Sequence, residues 1–202
     1  MHGKSFENFI KASNNIFSYA TADRKRSSNE RFDIGADDDI HLKIPTSIKA
    51  TGSNTIALSD ARNFWESIIH HTPYRVIVGH YQQDKIKKNF YQISMFVLTL
   101  EHKDVLLGDV TFKEIQDFHD GLKDFKEGKH KEARIWAKEQ KLTLQNRLQH
   151  LILNPKIDSK NQRRLQCSIK MDSVKTITDI DVFNDSFGSL SLPFSIISGK
   201  RR

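Results

Sequence analysis

The chain has 202 residues, 37% of them hydrophobic and 28% charged, with a net charge of +7. That length and apolar content suffice for one compact domain, and the basic balance permits an anionic partner. No apolar run reaches the roughly 18 residues of a membrane-spanning helix. The single cysteine, Cys167, excludes an internal disulfide and any zinc site built on a cysteine cluster.

In residues 5–20 the apolar positions Phe6, Phe9, Ile10, Ile16, Phe17 and Ala20 recur at roughly helical spacing. The same segment lacks the uninterrupted apolar core of a secretory signal, so a reducing, cytoplasmic setting is expected. The basic run DRKRSSNER (23–31) reads as a loop or arm. From Phe32 the period changes to two. Ile40, Leu42, Ile44, Ile48 and Ala50 alternate with His41, Lys43, Ser47 and Lys49, the pattern of a half-buried strand, with Pro45 marking an edge or a bulge. A short strand over Phe32 to Ile34 precedes it across the turn ADDDI.

GSN (52–54) opens a loop that feeds a helix. Ser59 suits its N-cap, Asp60 its first turn, and Ala61, Trp65 and Ile68 one buried face, with Pro73 at its exit. Two strands, YRVIVGHY (74–81) and FYQISMFVLTL (90–100), flank the basic QQDKIKKN. TFKEIQDFHDGLKDF and HKEARIWAKEQKLTLQNRLQHLIL read as helices with Gly128 near the break. RRLQCSIKM reads as a strand, and the tail is rich in serine and glycine with a basic end. The order predicts an α/β or α+β fold with a central mixed β-sheet flanked by helices. No linker divides the chain, so one domain over residues 1–202 is expected, its core at about 32–100 and its C-terminal helical part at about 111–202.

Ser47 and Lys49, two apart on a strand, project from one face, and a hairpin from Asp33 brings that carboxylate beside Lys49. Cleaving a phosphodiester requires a hard divalent cation held by oxygen ligands and a positive group near the attacking water. An aspartate, a second acid and a lysine meet that requirement. The run Asp37–Asp38–Asp39 is of a kind usually just solvated, with Asp39 the best placed to assist a metal. Other chemistries fit less well. The histidines His70, His71 and His119 show no strong metal-ligand spacing, and no GxxxxGK[ST] or GxGxxG loop occurs. Ser47 and Lys49 lack the elbow and oxyanion loop of a serine hydrolase. The spacing recurs at Ser168–Ile169–Lys170, so the triplet carries little without its context.

With that context, the layout resembles the PD-(D/E)XK nucleases, type II restriction endonucleases in particular. Asp33, preceded by Phe32 where the family has proline, matches the motif's aspartate. Ser47–Ile48–Lys49 matches its acid–x–lysine triplet, with serine in the acid's place. The match covers about residues 32–81, the motif with the helix and strand that follow. It implies a restriction-endonuclease-like core, Mg²⁺-dependent hydrolysis of double-stranded DNA, and a homodimer that cuts both strands. The serine has three readings. The acid has moved to the following helix, as Asp60 or Glu66, which would join Asp33 on the metal; or the serine disables a site that still binds DNA; or the strand merely carries polar residues outward. Glu7 or Glu30 would supply a supporting acid.

Positive groups at DRKR, KIKK, KHKEAR, KNQRR and GKRR are placed to neutralise phosphates. The segment KHKEARIWAKEQK reads equally well as a solvated helix. Asn161, Gln162, Arg163, Arg164 and Gln166 carry side chains suited to base edges in the major groove. Ser53 and Asn54, just after the motif, are placed to approach the cleaved strand. Aromatic residues do not interleave the basic segments, which favours duplex over single strands.

Overall fold

Periods of two and of 3.6 residues divide the chain into strands and helices. The computed structural model describes residues 2–12, 32–39, 43–84, 87–159, 162–183 and 190–193. Its elements in chain order are α1 (His2–Ala12), β1 (Thr46–Thr51), β2 (Thr55–Asp60), α2 (Ala61–His70), β3 (Tyr74–Gln83), β4 (Lys87–Leu98), α3 (Lys103–Leu107), α4 (Phe112–Lys123), α5 (His130–Gln145), β5 (Leu151–Ile157), β6 (Arg163–Lys170), α6 (Met171–Ile177), β7 (Asp181–Phe183) and β8 (Leu190–Pro193), with short 3₁₀ turns at Ala36–Asp38 and Leu100–His102. The fold is mixed α+β, with a mixed sheet, a second sheet and flanking helices. The chain divides into two units, Met1–Ser53 with Arg75–Phe96 and Ile180–Arg202, and Asn54–Tyr74 with Val97–Asp179.

The first unit is built on a sheet of order β1-β3-β4-β7, with β8 also paired to β4. β1 and β3 run parallel, whereas β7 and β8 lie antiparallel to β4. Its core joins Phe6 and Ile10 of α1 to Ile34, Ile48, Ile77, Phe90 and Ile93. Each such side chain contributes about 1.5–3 kcal/mol on full burial. Gly79 permits the closest packing here. A Cβ at that position would lie 2.5 Å from Cζ of Phe6. Without one, the Phe6 ring stacks on Phe90 at 4.6 Å between centroids.

The second unit holds the antiparallel sheet β2-β6-β5 with helices α2 to α6. α4 and α5 pack against β6 and β5. Trp65 of α2 is fully buried and donates from Nε1 to the carbonyl of Val110 at 3.0 Å, which satisfies the indole where water has no access. A capping box of Thr111 and Glu114 starts α4.

Several local expectations are corrected. The first helix spans His2–Ala12, and the predicted turn with Ile16, Phe17 and Ala20 lies outside the described residues. The strand around Lys49 begins at Thr46, and residues 40–42 lie outside the described residues. Residues 55–60 form β2 instead of a loop, and this strand runs straight into α2. Asp60, not Ser59, is the N-cap: its Oδ1 accepts from the Arg62 amide at 3.1 Å. The long second helix stops at Gln145, and LIL begins β5. Gln145 fixes that change, because its side-chain amide donates to Leu151 O at 2.6 Å and accepts from Leu153 N at 2.9 Å. Pro155 is tolerated in β5 because that strand lies at the end of the sheet order.

Candidate active site

β1 ends the sheet order of the first unit, so one of its edges is open to other partners. Thr46 fills the first position on that edge, exchanging backbone hydrogen bonds of 2.8 and 3.0 Å with Ile34. Alternate residues of a strand point their amides the same way. The next outward amide is therefore that of Ile48, and it donates to Oδ2 of Asp33 at 2.6 Å. Lys49 Nζ approaches the same oxygen at 3.5 Å. The position of Asp33 thus follows from a backbone register, with a side-chain carboxylate taking the place of the next ladder carbonyl.

Alternation also decides the face. Ile34 and Ile48 point into the core beside Phe6 and Ile10. Their neighbours Asp33, Ser47 and Lys49 therefore project from the opposite side of the sheet. About a quarter of each of the Asp33 and Lys49 side chains is exposed, so solvent reaches the pair. An ion pair that solvent reaches contributes only about 0–1 kcal/mol to stability. Both contacts to Asp33 fall on Oδ2, which leaves Oδ1 outside them. Ser47 adds a nearly buried hydroxyl on the same face.

Residues of the connection from Asp33 to β1 are held from below by Arg75 at the start of β3. Its guanidinium forms a buried ion pair with Asp39, its Nε donates to Thr46 Oγ1 at 3.1 Å, and its amide donates to Pro45 O at 2.9 Å. Asp39, expected as a metal helper, is committed to this contact. Nothing in the local sequence signals a pair 36 residues apart. A second buried polar group missed in the sequence is His80, whose Nε2 shares a 3.0 Å hydrogen bond with Ser94 Oγ; Gln92 donates to that hydroxyl at 3.0 Å. Its signal was a histidine in the apolar run YRVIVGHY, at a register position opposite Thr51.

The structure brings Asp33, Ser47 and Lys49 together within the first unit. Asp60 and Glu66 are carried by the second. There Asp60 caps α2, and its Oδ2 lies 3.6 Å from His119 Nε2, while Glu66 is half-buried on α2. Glu7 pairs with Lys11 along α1, and Glu30 lies outside the described residues. Of the expected DNA contacts, Asn161 lies outside the described residues. Ser53 is tied to Thr51 through its amide, and Asn54 donates to Asp172 at 2.6 Å. Arg163 is buried and donates to the carbonyls of Asp158 and Gln162, so it staples the turn instead of reaching outward. Gln162 closes that turn through its amide to Asp158 Oδ1. Arg164 is exposed and Gln166 half-buried on the face of β6 opposite to Arg163. The segments DRKR and GKRR lie outside the described residues.

Mg²⁺ takes an oxygen shell in which one or two carboxylates are completed by waters and substrate phosphate. Asp33 Oδ1 and the Ser47 hydroxyl are hard oxygen donors of that kind. Among the described residues no three His, Cys, Asp or Glu side chains gather as a metal site. No helix among the described residues is long and apolar enough to cross a membrane. Compared with protein-family models, curated proteins and solved structures, the chain matches none of them.

Proposed function

We propose that this chain is a Mg²⁺-dependent, sequence-specific endonuclease of double-stranded DNA, a cytoplasmic homodimer resembling the type II restriction enzymes of the PD-(D/E)XK class. The observation that supports this most is the Asp33 carboxylate held 3.5 Å from Lys49 by the strand register. Bound Mg²⁺ would supply Lewis acidity to the phosphate and a more acidic water. Asp33 is the carboxylate assigned to hold it, through Oδ1. Lys49 orients the attacking water and balances the negative charge that gathers on the phosphate as the P–O bond breaks. The Ile48 amide holds the Asp33 carboxylate in place by donating to its other oxygen. Asp60 and Glu66, the alternative sources of a second acid by chain position, belong to the second unit, where Asp60 caps α2.

One observation favours a second reading, a DNA-binding module that does not cut. Ser47 stands where the triplet has an acid, and a hydroxyl is a weaker ligand than a carboxylate. The test is digestion of a large, sequence-diverse DNA with Mg²⁺ or with chelator, using the wild type and Ser47→Asp. Discrete fragments that require Mg²⁺ support the endonuclease. Cleavage only by Ser47→Asp supports the non-cutting module, and cleavage by neither protein overturns the assigned site.

A further inference from the structure

In the second unit, helices cover one face of the sheet; on the other, Ser168 is buried near the middle and charged side chains are exposed towards the ends. On β6 the residues Leu165, Cys167 and Ile169 are buried; α4 packs against this strand and α5 against β5. Arg164 and Lys170 alternate with them and are exposed. On β5, Leu151 and Leu153 are buried whereas Lys156 is exposed. The antiparallel register sets Lys156 directly opposite Arg164 and Asn154 opposite Gln166. Lys170 lies opposite Thr55 at the far end of the same row.

Like charges directly opposite across two strands are destabilising. Lys156 and Arg164 nonetheless occupy such a pair, and among the described residues neither has a carboxylate partner. Asp172, the acid nearest to Lys170 in sequence, is taken by Asn54 at 2.6 Å and by Lys175 at 3.8 Å. An anion bridging Lys156 and Arg164 removes the repulsion, so the charge arrangement is complementary to a ligand of repeating negative charge. Lys170 lies six positions beyond Arg164, about 20 Å of strand at about 3.3 Å per residue. The phosphates of one DNA strand wind around its axis, rising ~3.4 Å each along it, so a straight row of about 20 Å meets only a few of them. The amides of Asn154 and Gln166 lie between the cations. No aromatic side chain lies on this face among the described residues, which removes the base stacking that single-strand binders use.

We propose that the face of the β2-β6-β5 sheet opposite Leu165 and Cys167 docks the phosphate backbone of duplex DNA through its exposed cations Lys156, Arg164 and Lys170. The inference rests on the endonuclease reading for the identity of the polyanion, and it assigns the contacts that position the duplex, not those that read its sequence. The test measures duplex binding by fluorescence anisotropy over a range of salt, with chelator present so that nothing is cut. The proteins are the full-length wild type, the combined Lys156→Ala, Arg164→Ala and Lys170→Ala variant, and Lys138→Ala as a control for charge lost from exposed α5. The combined variant is expected to lower the slope of log affinity against log salt by about one per cation removed, near three in all, with its urea midpoint unchanged or raised. Lys138→Ala is expected to keep the wild-type slope.

An unchanged slope in the combined variant overturns the docking surface, as does a wild type that fails to bind duplex. Equal competition by single-stranded DNA or by anionic vesicles overturns the duplex assignment. The Mg²⁺ digestion is read separately. Cleavage with an unchanged slope removes this surface alone, and a lowered slope without cleavage removes the enzyme reading alone.

Discussion

Replacing Arg75 with methionine tests how the segment carrying Asp33 is held. The Arg75 side chain is 5% exposed and that of Asp39 1%, so the pair lies out of solvent. Arg75→Met keeps the apolar stem but leaves the Asp39 carboxylate buried without its guanidinium. Removing one partner of such a pair costs about 3–5 kcal/mol, a large share of the roughly 5–15 kcal/mol that stabilises a whole domain. Loss of the hydrogen bond to Thr46 Oγ1 adds about 1 kcal/mol. The double variant Asp39→Leu with Arg75→Met is expected to be more stable than Arg75→Met, because it buries no carboxylate that has lost the guanidinium. Both tryptophans, Trp65 and Trp136, belong to the second unit, so fluorescence reports mainly on that unit. Far-UV circular dichroism in urea should be joined by hydrogen exchange at the Ile48 amide, which is bonded to Asp33 Oδ2. Faster exchange at Ile48 is expected in Arg75→Met. A variant within about 1 kcal/mol of wild type, with Ile48 still protected, refutes the argument that this pair holds the segment.

Gly79→Ala places a methyl 2.5 Å from the Phe6 ring and 2.7 Å from Phe90, an overpacking cost of about 1–3 kcal/mol in urea unfolding. Adding Phe6→Leu should recover part of that loss by making room. Glu114 is held down to about 2, first by its hydrogen bond from Arg147 and then by those from Thr111. Its folded-state value lies below the unfolded one, so its contribution is present above about pH 4.5 and is lost as pH falls towards 2. Glu114→Gln should therefore unfold with a shallower pH dependence over that window, and an unchanged acid titration would contradict the assignment.

The shared face of Ser47 and Lys49 was legible because period-two alternation sends Ile48 to the core, and the short connection to Asp33 suggested the contact with Lys49; the register that seats Asp33 on the Ile48 amide was not legible. β2 was hidden although Ile56 and Leu58 alternate around exposed Ala57, because the strand enters α2 with no turn between them and Asp60 serves both elements. β5 was hidden because Leu144, Leu148 and Leu151 continue the helical spacing of α5 beyond Gln145, where the side chain of that glutamine redirects the chain. Arg163 and Arg164 are adjacent and alike in sequence. Strand alternation buries the first and exposes the second, so which one can meet DNA depends on knowing the inner face of β6. The Lys156–Arg164 pair required the β5–β6 register, and Asp39–Arg75 required the fold itself.

The central claim, that Asp33 and Lys49 act on a phosphodiester, is tested most directly by cleavage of sequence-diverse duplex DNA in Mg²⁺ by wild type, Asp33→Asn and Lys49→Ala at matched DNA occupancy. Discrete fragments are expected from wild type and a rate about 10²–10³-fold lower or undetectable in each variant, with duplex binding retained. Wild-type cleavage that persists undiminished in both variants would contradict the claim.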